Sequence, residues 1–267
     1  MKKTFAIVCF SFISIMLFTQ ERYYNMYEGW ICCNVVLNED VYNIWGKDNN
    51  ISGGYEVIRQ SISIEGNYLS TNNAFFIEPY LATHIFRRPD MLVTKGRSSY
   101  FTGYVQHGDN AYYPLFMKYD EDSQDTVFSR IYTGLLDDQL IFYTSYYRSN
   151  NIYTLASTYD DGNHINMSFH KIDTLGNVHF SQQYYPTSNH PYADIRYPLQ
   201  IAPVNDGGFT LTFEEPIYTS SLRNQDSYCL KVDSLGNEEW RCALGHHDTV
   251  NYRPFVFPQP DGNFLFT

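Results

Sequence analysis

The strongest constraint on this chain is that it repeats itself. Lys171-Ile172-Asp173-Thr174-Leu175-Gly176-Asn177-Val178-His179-Phe180 returns as Lys231-Val232-Asp233-Ser234-Leu235-Gly236-Asn237-Glu238-Glu239-Trp240. A looser copy runs from Lys118 through Asp120 to Gln124 and on to Val127-Phe128, and a degenerate one spans Ser63 to Tyr68. The turn centres fall near 66, 123, 176 and 236, in steps of 57, 53 and 60 residues. A second turn type alternates with the first. Asp206-Gly207-Gly208-Phe209 resembles Asp261-Gly262-Asn263-Phe264, with diverged versions near 40, 97 and 150. Each of the first four precedes its partner by 26 to 29 residues.

Asp, Gly and Asn supply the capped and positive-φ positions of tight hairpins, and alternating apolar residues flank them. Two hairpins per unit of about 55 residues make four short strands, the pattern of a propeller blade. No segment carries a sustained 3.6-residue apolar period, so no helix is predicted. Aromatic residues make up 18% of the chain, which suits pleated, half-buried surfaces and argues against coiled coil or disorder. The expected fold is all-β: a propeller-like array of four-stranded antiparallel blades at about 29–80, 87–134, 139–186 and 196–245, with a partial unit from 250. A β-sandwich with fortuitous spacing is the competing architecture. The array ends inside a hairpin, which would leave an open sheet edge, so the chain is expected to be the N-terminal part of a longer protein.

Residues 1–20 read as a secretory signal peptide. Lys2 and Lys3 precede an apolar run from Phe5 to Phe18, too short for the ~20 residues of a membrane span. Residues 21–267 then form the repeat domain, secreted or held at the cell surface, with no membrane contact after cleavage. Losing the two lysines takes the formal charge from −11 to −13. That balance excludes nucleic acid, which needs clustered Lys and Arg. Cys9 lies in the signal, and Cys32, Cys33, Cys229 and Cys242 remain. No C-x-x-C spacing exists, so no metal site is expected. Cys229 and Cys242 flank the Asp233–Asn237 turn symmetrically and are the candidate disulfide, provided that Gly236 does not offset the register. Cys32 and Cys33, adjacent on a strand, point to opposite faces.

The alternation of Asp-Gly-Gly-Phe hairpins with Lys-x-Asp-x-x-Gly-Asn hairpins resembles the secreted repeat proteins of bacteria that use type IX secretion. Such chains are similar to PQQ-like and kelch-like β-propellers and usually finish with a C-terminal sorting domain, which this sequence lacks. The resemblance covers most of residues 29–267. It implies a propeller and export, and says almost nothing of activity. It also implies that Phe128, Phe180 and Trp240, at equivalent ends of the second hairpin, pack between blades rather than stack on sugars.

Histidine and arginine recur ahead of the first hairpin of several units. His84 precedes Arg88, His190 precedes Arg196, and His246 and His247 precede Arg253. In a propeller these positions lead into the innermost strand, so they would gather on one rim and hold a carboxylate or phosphate. The competing reading has each Arg paired with a neighbouring acid. Asp120, Glu121, Asp122 and Asp125 form an acidic turn without the EF-hand pattern and read as solvated. No catalytic residue and no cofactor can be assigned. The chain reads as an exported, non-catalytic binding or surface-interaction module whose partner is a protein or glycan. The alternative is a fragment of a secreted propeller enzyme, either a sialidase-like glycosidase or a quinoprotein dehydrogenase. Adjacent cysteines fit the latter, but the blade spacing departs from its pattern.

Overall fold

The computed structural model describes residues 30–38, 41–48, 55–63, 68–77, 82–83, 92–106, 112–135, 139–159, 165–187, 195–218, 223–244, 255–259 and 261–266. Every element among them is a strand. The first sheet orders β1 (Trp30–Asn38), β2 (Val41–Asp48), β3 (Tyr55–Ser63) and β4 (Tyr68–Ile77) in sequence, all antiparallel. The second contains β5 (Ala82–Thr83), β6 (Leu92–Lys95), β7 (Ser98–Gln106), β8 (Tyr112–Asp120) and β9 (Asp125–Ile131). There β5 and β6 both pair with β7 and share the place of one first strand. The third sheet runs β10 (Gln139–Arg148), β11 (Asn151–Tyr159), β12 (Ile165–Asp173), β13 (Val178–Tyr184). The fourth runs β14 (Arg196–Pro203), β15 (Phe209–Tyr218), β16 (Arg223–Val232), β17 (Glu238–Leu244), and a hairpin of β18 (Val256–Pro258) and β19 (Phe264–Phe266) follows. The first strands of successive sheets touch one another, β6 to β10 to β14 to β18, so they are the innermost. The fold is therefore an all-β, propeller-like array of four-stranded antiparallel blades.

The two turn motifs share one backbone. Asp173 N–H donates to Asn177 O and Gly176 N–H to Asp173 O, and Asp233–Asn237, Val204–Gly208 and Gln259–Asn263 repeat that pair of bonds. The fourth residue is a glycine at φ between +82° and +95° in all four, the left-handed conformation that a Cβ penalises. Only the capping carboxylate moves. In the second hairpin Asp173 and Asp233 sit first and accept from the N–H groups two and four residues on. In the first hairpin Asp206 and Asp261 sit third and accept from Gly208 and Asn263. Asn237 donates to the Asp233 carboxylate, and its bonds outweigh desolvation to hold that group below its ordinary value.

In the second hairpin a bulge follows the turn, whereas the Pro203–Phe209 and Pro258–Phe264 ladders run on without one. Val232 pairs with Glu238, but Lys231 pairs with Trp240, so Glu239 is the extra residue. His179 and Val127 are the extra residues at the same place in the sheets before. The bulge re-aims the next side chain, an aromatic in all three cases.

Blades 2, 3 and 4 dock through two apolar layers. Tyr100, Phe116 and Tyr132 of the second sheet meet Leu140, Phe142, Ile152 and Ile172 of the third. Tyr153, Leu155, Phe169 and Tyr184 of the third meet Phe209, Leu211, Phe213 and Leu230 of the fourth. A hydrogen-bonded latch closes each layer. Tyr132 donates to Gly176 O at 2.8 Å, and Tyr184 donates to Gly236 O at 2.6 Å. A Cβ on Gly176 would sit 3.2 Å from the Phe128 ring, and one on Gly236 3.1 Å from the Phe180 ring. Phe128 and Phe180 thus lie between blades, against the glycine of the next turn. Burial pushes both latch phenols well above their ordinary value, so they remain donors. The first and second sheets meet differently. The Arg59 guanidinium lies 3.1 Å from Glu121, which also accepts from Ser99, and all three are buried. Glu121 is therefore an inter-blade anchor, not part of a solvated acidic turn, whereas Asp122 is exposed and pairs with Arg97.

Candidate functional site

All first-strand to second-strand and third-strand to fourth-strand turns lie at one end of their sheets. The connections from second to third strand and from blade to blade therefore leave from the other, the connection end. Among the described residues the first strands β1, β10 and β14 are irregular on their way there. In β1 the extra residue is Cys33, between pairs Cys32–Gly46 and Asn34–Trp45. In β10 it is Tyr143, between Phe142–Ala156 and Thr144–Leu155. In β14 residues 197–199 stand against Phe213 alone, because Arg196 pairs with Glu214 and Gln200 with Thr212. In the second sheet two separate short strands, β5 and β6, take the place of one, pairing with β7 at Thr83–Val105 and at Leu92–Phe101. Counted from the first hairpin, these irregularities fall at closely similar levels around the innermost strands. Bulges bend a strand and redirect its side chains, and they concentrate next to binding sites.

The sequence-derived rim residues map onto this region unequally. Arg196 opens β14, directly ahead of its irregularity. His84 and Arg88 fall between β5 and β6, His190 between β13 and β14, and His247 and Arg253 between β17 and β18; all five lie outside the described residues. The β14–β15 register sets Arg196 opposite Glu214.

Sequence reasoning missed the acidic residues around Arg196. Glu214, Glu215 and Asp226 are all buried, and Glu215 pairs directly with Asp226 across β15 and β16. Consecutive strand residues face opposite ways, so Glu215 and Asp226 look toward the third blade and Glu214 away from it. The Thr187 N–H donates to Glu215 Oε2 at 3.0 Å. Arg241 donates to Tyr185 O and Thr187 Oγ1, and its guanidinium lies 5.6 Å from the Phe213 ring. Burial, with Glu215 and Asp226 adding to it, pushes the Tyr228 phenol up to about 12. This group pins the segment leaving the third blade onto the fourth. Two adjacent acids, Glu214-Glu215, in a strand that carries no other charged residue were the signal available in the sequence.

His170 is a second buried polar centre. Its ring bridges Ser168 Oγ at 2.7 Å and Ser181 Oγ at 2.8 Å and meets Phe142 edge-on. Full burial lowers its pKa to about 3, so the ring is neutral at ordinary pH. A serine–histidine contact with no solvent access cannot reach a substrate, so its role is to satisfy polar groups between the second and third blades. Among the described residues no cluster of His, Cys, Asp and Glu is arranged to hold a metal ion, and no helix is long and apolar enough to cross a membrane.

Cys229 and Cys242 stand directly opposite each other in the β16–β17 ladder. The Gly236 turn does offset the register, and the Glu239 bulge returns it. Both thiols are free. The β1 backbone places Cys33 at the register irregularity.

No protein-family model matches this chain, and no curated protein matches it. The solved structures that this chain resembles in fold include these two. One is the endo-arabinase from Bacteroides thetaiotaomicron VPI-5482, 9% identical, with 89% of this chain and 88% of that one covered at a TM-score of 0.48. The other is a thermostable family-43 glycoside hydrolase, 12% identical, with 88% and 81% covered at a TM-score of 0.44.

Proposed function

We propose that this chain is an exported binding module whose ligand docks at the connection end of the innermost strands. The supporting observation is the repeated irregularity at that level in the first strands β1, β10 and β14, the last of which begins with Arg196. Arg88, Arg196 and Arg253, flanked by His84, His190 and His247, supply forked cationic donors on a chain of net charge −11. Such donors select a carboxylate or phosphate. The ligand class is an acidic glycan or an acidic protein segment. Calorimetric titration with polygalacturonate tests it: Arg88→Ala with Arg253→Ala weakens binding at least tenfold, and added salt weakens it further. Unchanged affinity in that double variant overturns the reading.

A second reading, a propeller glycosidase, would draw on Glu214, Glu215 and Asp226, which sit on the two strands that follow the irregular β14 and, being buried, would meet a substrate only if the segment that Glu215 holds opened. Glycoside hydrolysis runs on paired carboxyl groups. Arabinan and polygalacturonate incubated with the chain distinguish the two. No new reducing ends appear if the module only binds, whereas release that Asp226→Asn abolishes makes it an enzyme.

A further inference from the structure

We infer that Cys229 and Cys242 are an oxidative modification site that closes to a cross-strand disulfide tying β17 to the rest of its sheet. The ladder pairs the two residues directly, on the face of the fourth blade that bears Thr210, Thr212 and Lys231. Directly paired strand residues keep their Cα atoms within ~4.5–5.5 Å, inside the range that a disulfide spans without backbone movement. The equivalent pairs in the second and third sheets are Phe116 with Arg130 and Phe169 with Gln182, by their common offset from the Lys–aromatic pair beside them. There a buried phenylalanine clamps the neighbouring blade. In the fourth blade a small thiol replaces it, and β17 is the outermost, most exposed strand of its sheet. A covalent bond across the ladder supplies the hold on β17 that the aromatic supplies elsewhere.

The chemistry needs a two-electron oxidant, and a small-molecule or protein disulfide is that class. Cys242 is part-exposed and Cys229 fully buried, so Cys242 meets the oxidant first. Its thiolate attacks the incoming disulfide, one thiol leaves, and a mixed disulfide forms at Cys242. The Cys229 thiolate then displaces the second thiol. Each cysteine loses its proton to solvent, one S–S bond forms here as one is lost in the oxidant, and the oxidant departs as two thiols. Burial pushes the Cys229 thiol up to about 12, with Cys242 adding to it, so closure accelerates with rising pH.

The test is peptide mapping of the full chain after incubation with oxidised glutathione and blocking with N-ethylmaleimide. Trypsin cleaves after Lys231 and Arg241, so only a disulfide keeps the Cys229 and Cys242 peptides together. A linked pair that reductant separates, with a urea midpoint that rises on oxidation in the native chain and not in Cys229→Ser, is the expected result. Recovery of both cysteines alkylated and separate, or bridged to Cys32 or Cys33, overturns the inference.

Discussion

The third and fourth blades present the same backbone to the blade that follows them and very different side chains. Reading across equivalent ladder positions, Tyr153, Leu155, Phe169, Phe180 and Tyr184 of the third become Thr210, Thr212, Cys229, Trp240 and Leu244 of the fourth. Tyr153 and Phe169 of the third blade form a contiguous ring cluster with Phe209 of the fourth, centroids 4.4–5.8 Å apart. Lys171 lies 5.9 Å from the Tyr153 ring, and Lys118 keeps the same relation to Tyr100 in the second blade. Thr210 offers no such ring. Lys231 turns instead to Asp206 and Glu239, each at 2.8 Å, and these bonds outweigh its desolvation to raise its pKa. The lesson is that turn chemistry makes a blade, while the identity of five forward-facing residues decides how it is held to its neighbour.

The widest separation between the two faces is expected from their central residues. Phe169→Ala removes a fully buried ring that contacts both blades and costs about 3–5 kcal/mol. Cys229→Ala removes one buried sulfur from the equivalent place and costs about 1–2 kcal/mol by the same scaling. Urea denaturation of both variants checks the ratio. Equal losses would mean that the forward face of the fourth blade is clamped as tightly as that of the third.

Acid separates the interfaces in a second way, because His170 has no counterpart at the next one, where Leu230 stands in its place. The unfolded ring titrates near 6.5 and the folded ring near 3, so folding is most favoured while both are neutral. As pH falls below 6.5 the unfolded chain takes up a proton that the fold refuses, and stability drops by about 1.4 kcal/mol per unit toward pH 3. Hydrogen exchange at pH 4.5 should therefore open the second-to-third interface before the third-to-fourth. His170→Met, which copies Met117 of the second blade, should flatten that pH dependence.

Glycine substitutions isolate the docking contribution from the turn itself. Gly207 and Gly236 both sit at positive φ, but a Cβ at Gly207 meets nothing within 4 Å. Gly207→Ala is expected to cost the backbone penalty alone, about 1–2 kcal/mol. Gly236→Ala adds a push against the Phe180 ring and the Tyr184 latch and is expected to cost about 1 kcal/mol more. Thermal unfolding of the pair measures the difference.

The blades were legible in the sequence because turns are local: the Asp, Gly and Asn that close each hairpin lie within five residues, and their spacing counts the strands. The latches were not, although Phe128 and Phe180 are each followed four residues later by Tyr132 and Tyr184, while Trp240 is followed by Leu244. Their partners lie 44 and 52 residues away, on the next blade. The same distance hid the Glu215–Asp226 pair and the clustering of inner-strand bulges, which depend on how two strands register and not on either one alone. Arg196 shows the limit from the other side. Its type was visible, but its opposition to Glu214 emerges only from an irregular β14.

The smallest expected effect is also the most diagnostic, because it reverses sign between two threonines on second strands. Thr154 in β11 is buried and donates to Thr144 O at 2.9 Å, so Thr154→Val leaves that carbonyl without its side-chain donor and costs about 1 kcal/mol. Thr212 in β15 is equally buried, but its Oγ1 has no hydrogen-bond partner among the described residues. A buried hydroxyl without a partner carries its desolvation cost uncompensated. Thr212→Val keeps the shape, removes that cost and is expected to stabilise the chain by about 0.5–1 kcal/mol. Two urea midpoints moving in opposite directions would establish that the fourth blade's forward face holds polar groups which its own chain does not satisfy. A loss at both sites would mean that Thr212 has a partner after all and that the forward face of the fourth blade satisfies its polar groups.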